Sequence, residues 1–366
     1  DTDHYSRDES LCALKKLSTW AYTEDSLDQD EDDDVEVVYE VPFANFNNNN
    51  NNNNNNRKQS KDNRGKFLKD FAMYGGIVKV LDFLTVILEE HELAIGTNSM
   101  ECIEFAVSTV GNVCYDRKDG INSDISSDIA TTAVKYDKLG TLLRANNECN
   151  DFENNTSHLE AVKDIWMLFG NIIACNGIMD LVGKKQTMHL FDSGMDIIKK
   201  LKFINGRHTI AITTNIGGLV FDALNNIFRR TSYVSYQEFE DRNFLSHCLN
   251  VFKKDDNTWI YGSEELIRRA INCIDTCHSK DLSMGIKVYE SIIPLCVFCL
   301  KGFPTNDEIR ANVRRILTGA CSWTENYRTI EKTGVLEDIV PLLTSDMIDD
   351  DEKTEWRNIA TMITAP

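Results

Sequence analysis

Large apolar residues fall at Val162, Ile165, Trp166, Phe169, Ile172 and Ile173. That is the spacing of one stripe on an α-helix, so the segment predicts an amphipathic helix with one face in a core. Trp166 lies within the stripe and is expected to be buried. At about 100° per residue, Asn171 falls on the side opposite the stripe. The same apolar-x-Asn-apolar ending returns as Val110-Gly111-Asn112-Val113 and Leu224-Asn225-Asn226-Ile227. Ile271-Asn272-Cys273-Ile274 and Leu317-Thr318-Gly319-Ala320 keep the helical pattern without an Asn in register. With 112, 171, 226, 273 and 319 as register positions, the steps are 59, 55, 47 and 46 residues. A helical unit recurring at such lengths predicts stacked α-repeats, an architecture whose usual role is binding.

The rest of the chain fits around these helices. Leu11, Leu14, Leu17, Trp20 and Ala21 mark a helix within residues 1–22, which reads as the end of a repeat that starts before residue 1. Residues 23–66 break the pattern. They hold nine acidic residues between Glu24 and Glu36, a short apolar patch, ten consecutive Asn at 47–56 and the basic stretch Arg57 to Lys66. Such a composition cannot bury enough apolar surface to offset its ordering entropy, so this segment is expected to be disordered. Repeats then run over residues 67–366. The first has a Gly75-Gly76 turn, a helix from Ile77 to Leu88 and another from Met100 to Cys114, with a loop over 116–128. The second carries a polar insertion from Asn146 to Ser157. The third has a turn at Phe191-Asp192-Ser193-Gly194-Met195, then helices over Ile197 to Phe203 and Ile210 to Phe228. The fourth spans Phe244 to Cys277. The fifth places Pro294 early in a helix and breaks at Pro304 before Glu308 to Ser322. The last has a short helix, a turn at Gly334, a helix through Ser345 and a helix through Trp356 to Ile363.

Composition narrows the partners. The net charge is −19 and the pI about 4.8, which disfavours nucleic acid or an anionic membrane as a whole-surface partner. The eleven Cys are odd in number and sit mostly inside helical patterns, as reduced, buried thiols do. No apolar run reaches the roughly 18 residues of a membrane span. The expected compartment is the cytoplasm, with the nucleus second.

The segment Ile330-Glu331-Lys332-Thr333-Gly334-Val335-Leu336-Glu337-Asp338-Ile339-Val340-Pro341-Leu342-Leu343-Thr344-Ser345 resembles the armadillo repeat. Phe71-Ala72-Met73-Tyr74-Gly75-Gly76-Ile77 and Phe191-Asp192-Ser193-Gly194-Met195 look like the same turn. The apolar-x-Asn-apolar helices resemble the family's third helix. The resemblance covers residues 67–366 in about six diverged units. It implies an all-α, right-handed α-solenoid, with third helices lining a concave groove in which Asn side chains bind the backbone of an extended peptide. An amide, with two donors and an acceptor, can hold a peptide unit without reading its sequence. Importin-type adaptors carry a Trp four residues before that Asn. Here the position holds Ser108, Met167, Asp222, Arg269 and Arg315, so the importin scheme is disfavoured.

Residues four and seven before each register position share its face. The candidate groove is therefore Phe105, Ser108 and Asn112, then Asp164, Met167 and Asn171, then Leu219, Asp222 and Asn226, then Leu266 and Arg269, then Asn312 and Arg315. It should be acidic or amide-rich toward its N-terminal half and basic toward its C-terminal half, suiting an extended ligand with a basic segment beside an acidic one. A monomer is expected.

Competing chemistries are weak. Cys273-x3-Cys277-His278 and Cys296-x2-Cys299 have zinc-ligand residue types, but Cys273 and Cys277 share a face with Ala270 and Ile274, which reads as core. Gly177-x5-Gly183-Lys184-Lys185 misses the phosphate-loop spacing by one residue and lacks the following Ser or Thr. The histidines form no spaced pair. No cofactor and no catalytic site are expected, which leaves a protein-protein scaffold or adaptor, an importin-like adaptor second, and an enzyme with an unrecognised site last. Deletion of residues 23–66 should leave the melting temperature of the rest within a few degrees; a large loss would mean that the segment packs against the repeats.

Overall fold

The computed structural model describes residues 70–364 except 72–73, 93–101, 104–105, 108, 111–129, 132, 135–137, 150–155, 176, 202–206, 254–262, 281–285 and 324–325. The expectations for residues 1–22, for 23–66 and for the loop over 116–128 lie outside the described residues. Among those described there are helices and no β-strand. They fall into two compact units, divided between Ala145 and Asn146.

In the first unit, helix α1 (Gly76–Glu92) starts at the Gly75-Gly76 turn, where Gly75 has φ 78°. A Cβ on Gly76 would stand 2.5 Å from the Phe71 ring, so any side chain here would have to displace that ring. Within the expected Met100–Cys114 helix, Cys102, Ile103, Ala106, Val107, Thr109 and Val110 are helical and buried. Helix α2 (Lys138–Cys149) is tied to α1 by an ion pair from Lys138 to Asp82 at 2.7 Å and by the Thr85–Thr141 hydroxyl pair at 3.3 Å.

Helix α2 runs through Asn146, which the sequence places in a polar insertion. Asn146 is fully buried because Trp166 needs it: the indole Nε1 donates to Asn146 Oδ1 at 2.9 Å. A buried indole N–H without an acceptor is costly, so a polar residue here serves the core. Trp166 stands on α3 (Thr156–Ala174), whose stripe is buried as its spacing predicts, with Phe169 edge-on to Trp166 at 5.4 Å.

The next repeat departs from the sequence reading. Helix α4 (Ile178–Lys200) contains the whole Phe191–Met195 stretch, so no turn forms there. Its bend is at Gly183, with φ 70° and ψ 169°, a backbone region essentially restricted to glycine. The near-phosphate-loop stretch 177–185 is thus a helix entry, with Gly177 also at positive φ. Gly194 is buried mid-helix instead. A Cβ there would lie 3.1 Å from both Leu224 Cδ2 and Trp166 Cη2. Glycine here answers a close approach, a demand that sequence pattern does not separate from a turn.

Helix α5 (Arg207–Arg230) follows, then two short helices, α6 (Tyr236–Asp241) and α7 (Phe244–Asn250). Ser235 caps α6 by accepting from the Glu238 N–H. The fourth repeat therefore begins before Phe244. Phe191, Phe228, Phe239 and Phe244 meet ring to ring at 4.7–5.9 Å and pin these four helices together. Helix α8 (Glu264–Lys280) completes the unit. In α9 (Ile286–Gly302), Pro294 sits in the middle rather than near the start. Helix α10 (Asp307–Cys321) is capped by the Asn306 side chain, which accepts from the Ile309 N–H at 2.9 Å. The last repeat matches its sequence reading: α11 (Tyr327–Thr333), Gly334 in the left-handed region at φ 69°, α12 (Val335–Thr344), an acidic turn and α13 (Asp350–Thr364).

Replacing Trp166 by Ala should lower stability by about 3–5 kcal/mol, as large aromatic truncations in cores do. A denaturant titration checks it; a soluble mutant of unchanged midpoint would refute the packing described.

Candidate functional site

Helices α3, α5, α8, α10 and α13 each pack against the next in that order. Each is amphipathic, so its apolar side is covered by the rest of its repeat and its polar rim meets the rims of its neighbours. Those rims are joined rung by rung. Between α5 and α8, Arg269 reaches Asp222 at 2.6 Å, and Arg229 donates to Asn272 Oδ1 at 3.2 Å and to Thr276 Oγ1 at 3.4 Å. Between α8 and α10, Arg268 pairs with Glu308, Asn306 donates to Glu264 at 2.6 Å and Arg315 meets Asp275 at 2.7 Å. Between α10 and α13, Arg310 binds Glu352 at 2.9 Å, and Arg314 binds Glu352 at 3.0 Å and also Glu355.

These pairs fix the register. Asp222–Arg269 and Arg229–Thr276 both span 47 residues, so Asn225 stands level with Asn272. Arg268–Glu308 and Asp275–Arg315 both span 40, so Asn272 stands level with Asn312. The row of amides is therefore Asn225, Asn272 and Asn312, with Asn171 preceding it on α3. The sequence register took Asn226 and 273, one residue late, and stepped 46 residues from 273 to 319, six more than the 40 observed.

The amides are incompletely satisfied. Among the described residues, Asn171 Nδ2, Asn225 Oδ1 and Asn312 Nδ2 are buried with no hydrogen-bond partner. Asn272 Oδ1 accepts from Arg229, and Asn312 Oδ1 from Arg315. A buried polar atom without a partner costs about 1–3 kcal/mol, so such a row invites partners from outside.

Of the candidate groove residues, Asp164, Met167, Asn171, Leu219, Asp222, Asn226 and Arg269 are half-buried and Arg315 is exposed. Leu266 and Asn312, expected on the same exposed face, are buried: Leu266 packs against Gly217 of α5, and Asn312 lies under Arg315, which donates to its Oδ1. Phe105, Ser108 and Asn112 lie outside the described residues. Asn225, Asn272 and Arg229 were missed. The doublet Asn225-Asn226 concealed the correct rung, and no pattern within one helix announces a contact that crosses to the next.

The expected split into an acidic half and a basic half is cancelled locally. Asp222, from the acidic half, is bonded to Arg269, from the basic half. Burial raises the Asp222 carboxyl above its usual range, and Arg269 offsets part of that. Asp275 is likewise raised by burial against the pull of Arg315. Burial lowers His278, with Asp275 opposing. Glu265 is held down to about 2, chiefly by its hydrogen bonds from Arg268, with Arg269 adding to them.

Cys248, Cys273 and Cys277 are buried together, and burial raises Cys248 and Cys277 well above the thiol range, as for inert core residues. Among the described residues, no three His, Cys, Asp or Glu side chains are grouped as metal ligands, and no helix is long and apolar enough to cross a membrane.

No protein-family model matches the chain, and no curated protein matches it. Solved structures do. A computationally designed armadillo repeat protein for modular peptide recognition is 15% identical, with 76% of this chain and 99% of that one covered and a TM-score of 0.50. A designed armadillo repeat protein in complex with the peptide (KR)4 is 15% identical over the same shares, with a TM-score of 0.48. At such identity the likeness speaks to the fold, and the fold is armadillo-like.

Acid titration tests the pairing of the rims. The Glu265 carboxyl is depressed in the folded state from the ordinary 4.5 to about 2. Its contribution is therefore complete above pH 4.5 and lost as pH falls toward 2. The melting temperature of Glu265→Gln should lie below wild type at neutral pH, and the two should converge in that window. Parallel curves would show that Glu265 is not held as described.

Proposed function

Starting from an armadillo-like stack with a row of amides along its third helices, we propose that this protein is a non-catalytic protein-protein interaction scaffold or adaptor. It holds an extended peptide, or an extended segment of a partner protein, across α3, α5, α8 and α10. The observation that carries the reading is the set of buried atoms on Asn171, Asn225 and Asn312 that lack partners among the described residues. A peptide backbone presents an N–H and a C=O at almost every residue and can serve either kind of vacancy whatever its sequence. Neighbouring helices stand about 8–10 Å apart and an extended chain advances about 3.3 Å per residue, so successive amides would meet about every third residue. A designed protein of this fold made for modular peptide recognition supports the same use.

Asp164, Met167, Asp222, Asn226, Arg269 and Arg315 would flank that backbone. An importin-like adaptor is the weaker reading, because Trp166 is committed to Asn146, and Met167, Phe221 and Arg268 stand four residues before Asn171, Asn225 and Asn272, where that scheme needs Trp. The carboxylates that a basic ligand segment would face are already engaged, Asp222 by Arg269 and Asp164 by Lys163 at 3.9 Å.

The test uses the full chain and a pooled library of fluorescent randomised peptides, followed by anisotropy. The double variant Asn171→Ala/Asn225→Ala removes two amides and should weaken binding about tenfold, the loss of one to two hydrogen bonds at about 1 kcal/mol each. Since Asn171 Nδ2 and Asn225 Oδ1 lack partners among the described residues, the melting temperature should not fall. Binding unchanged by the double variant would overturn the reading.

A further inference from the structure

We infer that Arg229 is the specificity-determining residue of this groove and that it selects an acidic side chain on the bound peptide. This rests on the extended-peptide reading above and adds the chemistry of the ligand.

The guanidinium groups along the rims differ in what they already hold. Arg268 lies on Glu265 and Glu308. Arg269 lies on Asp222 and Glu265, and Arg315 on Asp275. Arg310 and Arg314 share Glu352, with Asp307 and Glu355 added. Arg229 is exposed, and its bonds go to neutral groups, the Asn272 amide oxygen and the Thr276 hydroxyl. Asp275 feels its charge, but that carboxylate is bonded by Arg315. Arg229 is thus aimed by two neutral acceptors and, among the described residues, bonds no carboxylate of its own.

Its place matters as much as its charge. Arg229 follows Asn225 by four residues, one turn farther toward the C-terminal end of α5, about 5–6 Å along the same face. A peptide whose backbone meets Asn225 and Asn272 runs across the helices, and its side chains alternate to the two sides. Those directed to the C-terminal side meet Arg229 and Arg315 with, among the described residues, Asp275 between them, two cations for one carboxylate. Those directed to the other side meet Asp222, Glu265 and Glu308 with Arg268 and Arg269, three carboxylates for two cations. An acidic side chain fits the first side and is repelled from the second, so one residue would set both sequence preference and direction.

The experiment compares three peptide pools on the full chain, randomised except for a fixed central Glu, Gln or Lys. Wild type should bind the Glu pool about tenfold more tightly than the Gln pool, as one charge-assisted pair provides, and the Lys pool more weakly. The Glu preference should shrink as salt is raised. Arg229→Gln should bind all pools at the Gln level, and Arg229→Lys should keep part of the Glu preference; melting curves of both variants report folding. Asn171→Ala/Asn225→Ala should weaken every pool alike. A Glu preference absent from wild type, or surviving in Arg229→Gln, overturns the role of Arg229 while leaving the groove intact if the Asn double variant still weakens all pools. If no pool binds, the groove and the inference fall together.

Discussion

Helices α5, α8 and α10 each have another third helix on either flank, and that constraint governs the rest. The stripe of large apolar residues on each would be useless in isolation, since each fully buried side chain contributes about 1.5–3 kcal/mol only when something covers it. Stacking supplies the cover and leaves a polar rim that must be reconciled with the next rim. Most of the reconciling pairs are partly exposed, and exposed pairs contribute little to stability, about 0–1 kcal/mol each. Their effect is to set which rung faces which. Arg310 is different: it is 2% exposed, and Glu352, Asp307 and the Pro304 carbonyl together answer it. Removing one of these would strand a buried charge, so the last repeat is fastened more firmly than its surface suggests.

Charge and binding are separated by the same arrangement. The chain as a whole is strongly acidic, yet the rims are close to neutral because carboxylates and guanidiniums from successive repeats consume one another. What remains along the row is a set of neutral amides with vacancies. A surface of that kind holds a backbone by geometry and can leave selection to a single charge.

The sequence disclosed whatever depends on one helix at a time. The stripe on α3, the α11–Gly334–α12 turn and the burial of Trp166 are local consequences of spacing and composition, and each stands in the structure as read. It did not disclose what depends on two helices at once. Gly183 and Gly194 are equally glycine; only the packing of Trp166 and Leu224 shows that the second is a contact and the first a bend. Asn146 looked like loop because polar residues in cores are rare, and its acceptor role is visible only beside the indole of Trp166. The step between α8 and α10 came out six residues long because the sequence offers no Asn at 319 to correct it, whereas the ion pairs count the distance directly.

Gly194 touches no ligand in any of this, yet it acts as a gauge. It lets Trp166 of one third helix and Leu224 of the next approach the same point on α4. A methyl group there would be a wedge, and in a stack of repeats a wedge tilts everything beyond it. The interval between Asn171 and Asn225 would change first, and an extended peptide has a fixed stride. Drift at this position in related chains would thus act as a change of pitch, retuning which ligands fit without altering a single residue that meets them.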